Sequence, residues 1–246
     1  VPPEPWDGVR DAGGFGPTAP KPPYSEPFAQ YLSDPVLPGD DRLNLNVWTP
    51  GPDPAARLPV MVWLHGGALT RGSSAVPVYD GRAFARDGVV CVSLNHRLGV
   101  EGYGLFPDAP ANAGLRDQIA ALTWVREAIG AFGGDPDRIT LFGQSAGAIS
   151  IGALLAAPQA QGLVRRAVLQ SGAPEAADRD KVRRMVRRMA ARLKVPATAE
   201  AFAGVDRDLG ALRRGRRPGV GALGRDTPGT DFRRRYTAYG IRSTGS

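Results

Sequence analysis

Leu58-Pro-Val-Met-Val-Trp-Leu64 is an almost unbroken apolar run, and Val89-Val-Cys-Val-Ser-Leu94 is another. Runs of this length without polar alternation predict strands covered on both faces. Leu43, Leu45 and Val47 instead alternate with Asn44, Asn46 and Trp48, a period of two that predicts a half-buried strand. Two more strands are expected: Arg138-Ile-Thr-Leu-Phe142, opened by the turn Gly133-Gly-Asp-Pro-Asp137, and Arg166-Ala-Val-Leu-Gln170.

The period changes between them. Leu115, Ile119, Leu122, Val125, Ile129 and Phe132 recur every three or four residues and predict a long helix with one face on the sheet. Ala146 to Ala157 is a run of small and aliphatic residues stopped by Pro158, a second helix. Val182, Met185, Val186, Met189 and Leu193 mark a third, basic and amphipathic; its apolar stripe and the acids Asp178 and Asp180 predict packing on the domain rather than on a membrane. The Pro-rich opening to Pro38 reads as an irregular wrapping segment. Strands alternating with helices give an α/β class with a mainly parallel sheet and helices on both faces.

Thr140-Leu-Phe-Gly-Gln-Ser-Ala-Gly-Ala-Ile-Ser150 sets a serine between two glycines, at the junction of an expected strand and an expected helix. Strand, G-x-S-x-G, helix is the arrangement of a nucleophile elbow, in which a sharp turn holds the serine side chain clear of the backbone. Gly143 and Gly147 keep side chains out of the crowded turn, and the free N–H groups at the helix start favour negative charge beside Ser145. Upstream, the 58–64 strand runs into His65-Gly66-Gly67-Ala68, a place where backbone N–H groups can approach an oxyanion without a Cβ in the way.

These segments resemble the type B carboxylesterase and cholinesterase-like family of α/β-hydrolases. The resemblance is carried, in order, by Asp40-Asp-Arg-Leu-Asn-Leu-Asn-Val-Trp-Thr-Pro50, His65-Gly-Gly67, Asn95-His-Arg-Leu-Gly-Val100, Asn112-Ala-Gly-Leu-Arg-Asp-Gln118, Ala131-Phe-Gly-Gly-Asp-Pro136, Gly143-Gln-Ser-Ala-Gly147 and Gln170-Ser-Gly172, across about residues 4 to 205. It implies an α/β-hydrolase-type sheet, here incomplete at both ends, and hydrolysis of a small-molecule carboxylic ester without a cofactor or metal. By the same resemblance Ser145 is the nucleophile, and the N–H groups of Gly66, Gly67 and Ala146 form the oxyanion hole. Arg42 stands where many members have a cysteine, Gln144 where many have Glu, and Ala68 where many have a third Gly. A non-catalytic cholinesterase-like binding protein is the alternative, and retention of Ser145 counts against it.

The proton-transfer partners are the large departure. In such hydrolases the acid and then the histidine follow the serine, yet the two histidines here, His65 and His96, both precede it. Each is expected to serve the structure, His65 by orienting the H-G-G turn. Glu175, Asp178, Glu200 and Asp206 follow the serine and remain candidate acids. The expectation is therefore a fragment carrying the nucleophile but lacking the base. Val1 to Arg10 resembles a segment that members reach only after N-terminal strands, so an upstream stretch is also expected to be absent, and secretion is unreadable.

Charge divides the chain. Residues 207–246 hold ten Arg against three Asp and no Lys, a net charge of +7 that equals the formal charge of the whole chain. Residues 1–206 thus form the expected partial domain, and 207–246 an Arg/Gly-rich tail. A reading-frame change or truncation is the first expectation for it, a disordered tail the second, and a nucleic-acid arm a distant third. No nucleic-acid partner is expected. One cysteine, Cys91, excludes an internal disulfide and reads as a core residue. No apolar run is long enough to cross a membrane.

Overall fold

The computed structural model describes residues 11–174 and 176–205, and the backbone of 237–243. Its sheet has six strands: β1 (Asn44–Thr49), β2 (Leu58–Leu64), β3 (Val90–Leu94), β4 (Gly134–Gln144), β5 (Arg166–Gln170) and β6 (Thr237–Ser243). Their order is β5-β4-β2-β3-β1-β6, and every described pairing is parallel except β1 with β3. The long helix α3 (Ala113–Ala128), continued by a 3₁₀ turn at Ile129–Phe132, links β3 to β4; α4 (Ala146–Ala156) links β4 to β5. Shorter helices are α1 (Arg82–Arg86) and α2 (Gly99–Tyr103), and the described chain closes with α5 (Arg179–Leu193) and α6 (Ala199–Ala203).

Alternation along each strand sends side chains to two cores. Val60, Val62 and Leu64 of β2, Val90, Val92 and Leu94 of β3, and Ile139 and Leu141 of β4 meet α3 and α4 on one face. Trp48 and Cys91 point to the other, against Ala85 of α1 and the half-buried Phe15, Phe84 and Phe142. This is the mainly parallel sheet with helices on both faces that the patterning predicts.

Three expectations about individual elements change. β1 is not half-buried: all six of its residues are buried, because its polar positions find partners inside. Asn44 Nδ2 donates to the Pro17 and Asp41 carbonyls at 2.8 and 2.9 Å, Asn46 Nδ2 to Ser93 Oγ at 3.2 Å, and Thr49 Oγ1 to the Phe132 carbonyl at 2.7 Å. Hydrogen-bonded polar groups can be buried at little cost, and the alternation records a bonded layer rather than a wet face. β4 also begins earlier than expected. Gly134 to Asp137 join it because a register shift between Leu58 and Val60 lets Leu58 pair with Gly134 while Val60 pairs with Ile139.

The third change concerns the Arg/Gly-rich segment. Residues 206–236 lie outside the described residues, but Thr237–Ser243 pair in parallel with β1 instead of lacking regular structure. The free edge of β1 offers backbone N–H and C=O groups, and pairing with them does not depend on an apolar period. At the other border β5 is the edge strand among the described residues, with Val168 and Leu169 exposed at 45% and 36%.

Candidate active site

β2 and β4 lie side by side, with Leu64 opposite Gly143, so the loop after each strand emerges at the same end of the sheet. Ser145 follows β4 directly and is the N-cap of α4. Its backbone has φ 56° and ψ −119°, a region that costs a non-glycine residue about 1–3 kcal/mol. The turn is held from both sides: the Ser145 N–H donates to the Gln170 carbonyl at the end of β5, and the Ser145 carbonyl accepts from Ile149 one turn into α4, at 2.9 and 3.0 Å.

Close packing explains the glycines. A Cβ on Gly147 would lie 2.0 Å from the Leu64 carbonyl oxygen, and one on Gly143 would lie 2.7 Å from the same atom. The start of α4 is therefore seated on the end of β2. Ser145 is half-buried at that point, while Ala146 is only 3% exposed. The first N–H groups of α4 have no intrahelical acceptor, which leaves donors and the positive end of the helix dipole beside the serine hydroxyl.

The His65-Gly66-Gly67 loop comes up against this turn. A Cβ on Gly66 would sit 2.9 Å from the Gln144 carbonyl oxygen and 3.5 Å from Ser145 Cβ. Any side chain there would press on the elbow. Gly67 has φ 122°, and the chain reverses through Ala68 and Leu69 at φ 54° and 60°. Ala68, standing where many family members have a third Gly, carries a left-handed backbone, which costs an L-residue roughly 1 kcal/mol or more. The pairs Gly66-Gly67 and Ser145-Ala146, far from each other in sequence, are thus brought to one end of the sheet.

Behind the loop lie both histidines, buried at 3% and 4% exposure. Their rings stack at 4.8 Å with an interplanar angle of 10°. His65 Nδ1 lies 2.8 Å from the Gly66 carbonyl and His96 Nδ1 lies 3.0 Å from the Arg97 carbonyl, with Tyr103 Oη at 3.4 Å. A carbonyl only accepts, so Nδ1 carries the proton in each ring. Burial, with His96 alongside, pushes the His65 pKa down to about 3, and burial lowers that of His96 as well. Among the described residues neither ring makes a hydrogen bond to Ser145. Of the candidate acids, Asp178 caps α5 by accepting from Lys181 N–H at 2.9 Å, Glu200 is exposed in the first turn of α6, and Glu175 and Asp206 lie outside the described residues.

Two ion pairs that no local pattern marks support these loops. The Arg97 guanidinium binds Asp117, whose side chain is fully buried, through Nε and Nη2, both at 2.7 Å, and the Arg97 N–H adds a third bond at 3.1 Å. This joins the His96 segment to α3. Lys21 forms a buried ion pair with Asp34 and donates to the Gly72 carbonyl at 3.3 Å. Gly72 in turn packs on the loop, since a Cβ there would lie 2.3 Å from the Gly66 carbonyl oxygen and 2.6 Å from His65 Nδ1. Burial lowers the Lys21 pKa, and the Asp34 carboxylate works in the opposite direction. Both partners sit in the irregular opening segment, where no periodicity could have announced them.

The profile of the Carboxylesterase family matches residues 1–211. The chain is 48% identical over 177 residues to a para-nitrobenzyl esterase of Bacillus subtilis (strain 168), covering 70% of this chain and 36% of that protein. It is 47% identical over 191 residues to an acetylcholinesterase of Gallus gallus, covering 70% of this chain and 23% of that one. Among solved structures, carboxylesterase EST55 of Geobacillus stearothermophilus superimposes with a TM-score of 0.74 at 42% identity, over 84% of this chain and 43% of its own. The chain thus spans well under half the length of each of these relatives.

Proposed function

The chain belongs to the carboxylesterase family, and from that premise we propose that these residues form the nucleophile and anion-binding part of a serine esterase. Ser145 Oγ attacks the carbonyl carbon of a small carboxylic ester. The tetrahedral anion is held by the N–H groups of Gly66, Gly67 and Ala146, and its collapse expels the alcohol and leaves an acyl-serine that water hydrolyses. The observation that carries this reading is the backbone of Ser145, held at φ 56° and ψ −119° at the head of α4, with the Gly66 backbone packed against it. Strain of this kind persists only where its surroundings over-determine it, and it concentrates at sites of chemistry.

The serine proton needs an acceptor, and the sequence's two histidines are poorly suited to the task. Both are buried and bonded to backbone carbonyls. The second part of the proposal is that base and acid come from outside these 246 residues. The chain alone then turns over esters slowly, keeping at most the roughly 10³- to 10⁴-fold advantage over water that anion binding alone supplies.

Two measurements test the two parts separately. A p-nitrophenyl phosphonate, left long enough with the purified chain, should label Ser145 and no other serine by peptide mass spectrometry; absence of that label overturns the nucleophile assignment. Hydrolysis of p-nitrophenyl acetate and butyrate should be slow, with Ser145→Ala close to wild type. Fast turnover that vanishes in Ser145→Ala would place a base within these residues and overturn the second part.

A further inference from the structure

α5 has two working faces, and the fold uses one. Val186 and Ala190 are buried against Phe202 of α6, with Val100 and Phe106 packed alongside. On the exposed side Lys181, Arg184, Arg188 and Arg192 follow one another at steps of three, four and four residues, with Met185 and Met189 among them, and the six side chains line one surface groove. At 1.5 Å per residue the cations form a row about 16 Å long. Met185 is 47% exposed.

Among the described residues the charge on this face is uncompensated. From Arg179 to Leu193 the helix carries seven basic side chains and a single acid, Asp180, which pairs with Arg183 at 3.2 Å. Lys181, Arg184, Arg188 and Arg192 have no ion pair among the described residues. Arg184, Arg188 and Arg192 are like charges spaced four apart, and each such pair opposes the helix. An anionic partner would relieve them.

We propose that the solvent face of α5 is a docking surface for the anionic headgroup layer of a lipid bilayer. The cations meet lipid phosphates while their aliphatic stems, together with Met185, enter the apolar boundary beneath the headgroups. The helix lies on such a surface, since no helix among the described residues is long and apolar enough to cross a membrane. Other occupants fit less well. α5 contains no aromatic residue to stack on bases, and a phosphate backbone has no use for the exposed Met185. A second copy of the face would be repelled by like charge, as would the chain's own 207–246 segment with its ten Arg and three Asp.

The full 246-residue chain should co-sediment with vesicles containing about 30 mol% phosphatidylglycerol and not with pure phosphatidylcholine, and added salt should release it as screening shortens the reach of the field. The triple substitution Arg184→Gln, Arg188→Gln, Arg192→Gln should weaken partitioning about 100-fold, at about fivefold per cation near an anionic surface. Met185→Gln should weaken it a few-fold while its salt dependence is retained. Arg184, Met185, Arg188 and Arg192 are all exposed, and circular dichroism checks that the variants keep the wild-type helix content. Equal binding to neutral vesicles would overturn the proposal. So would a triple variant that binds like wild type, which would assign binding to the arginines of 207–246. Unchanged binding by the methionine variant, with equally tight binding to a short DNA duplex, would overturn it in favour of a nucleic acid.

Discussion

Gly147→Ala sets helix propensity against packing, and the structure predicts which wins. In an open helix interior alanine is favoured over glycine by about 1 kcal/mol. At Gly147 the new methyl would stand 2.0 Å from the Leu64 carbonyl oxygen, 2.8 Å from the Leu64 carbonyl carbon and 3.0 Å from the His65 oxygen. The obstacles are all backbone, and β2 is paired on both sides, by β3 and β4, so neither can step aside as a side chain could. Overpacking costs about 1–3 kcal/mol where neighbours can adjust, and a rigid strand end belongs at the top of that range. The net expectation is a loss of about 2–3 kcal/mol, a fall in Tm of roughly 5–10 °C for a chain of this size. Gly130→Ala is the control: nothing lies within 4 Å of its Cβ position, so it should stay within about 0.5 kcal/mol of wild type. Urea and thermal unfolding followed by circular dichroism measure both. A Gly147→Ala protein as stable as wild type, beside a neutral Gly130→Ala, would refute the claim that the elbow rests directly on the end of β2.

Two further expectations concern buried charge. With the folded His65 pKa near 3 against an ordinary value of 6.5, only the unfolded chain binds the proton between those pH values. Stability should therefore be intact above about pH 6.5 and fall as pH drops toward 3, by up to about 5 kcal/mol from this ring at 1.36 kcal/mol per unit. His96 shifts in the same direction. Urea midpoints at neutral and acid pH check it, and a His65→Gln protein with an undiminished acid slope would show that the ring is not responsible. Asp117→Asn should cost about 2–4 kcal/mol by leaving Arg97 without its carboxylate, less than for a pair buried on both sides, because Arg97 keeps 35% exposure. Asp40→Asn, in the exposed pair with Arg42, should cost under about 0.5 kcal/mol; equal losses in the two variants would deny that burial sets the difference.

What was legible in the sequence is what short stretches of chain settle alone. The apolar runs at 58–64 and 89–94 read as covered strands, and a glycine-flanked serine between a β-branched run and an alanine-rich one reads as a sharp strand-to-helix turn. Those signals come from backbone sterics and side-chain period, which act over a few residues. The burial of Asn44 and Asn46 is not legible there, because their partners, Pro17 and Ser93, are tens of residues away. For the same reason the Lys21–Asp34 and Arg97–Asp117 pairs, the stacked histidines and the early pairing of β4 with Leu58 left no mark in the pattern. The local code places a serine on an elbow. Only the sheet, by setting Leu64 beside Gly143, brings the Gly66 backbone against that serine and buries both histidines behind it.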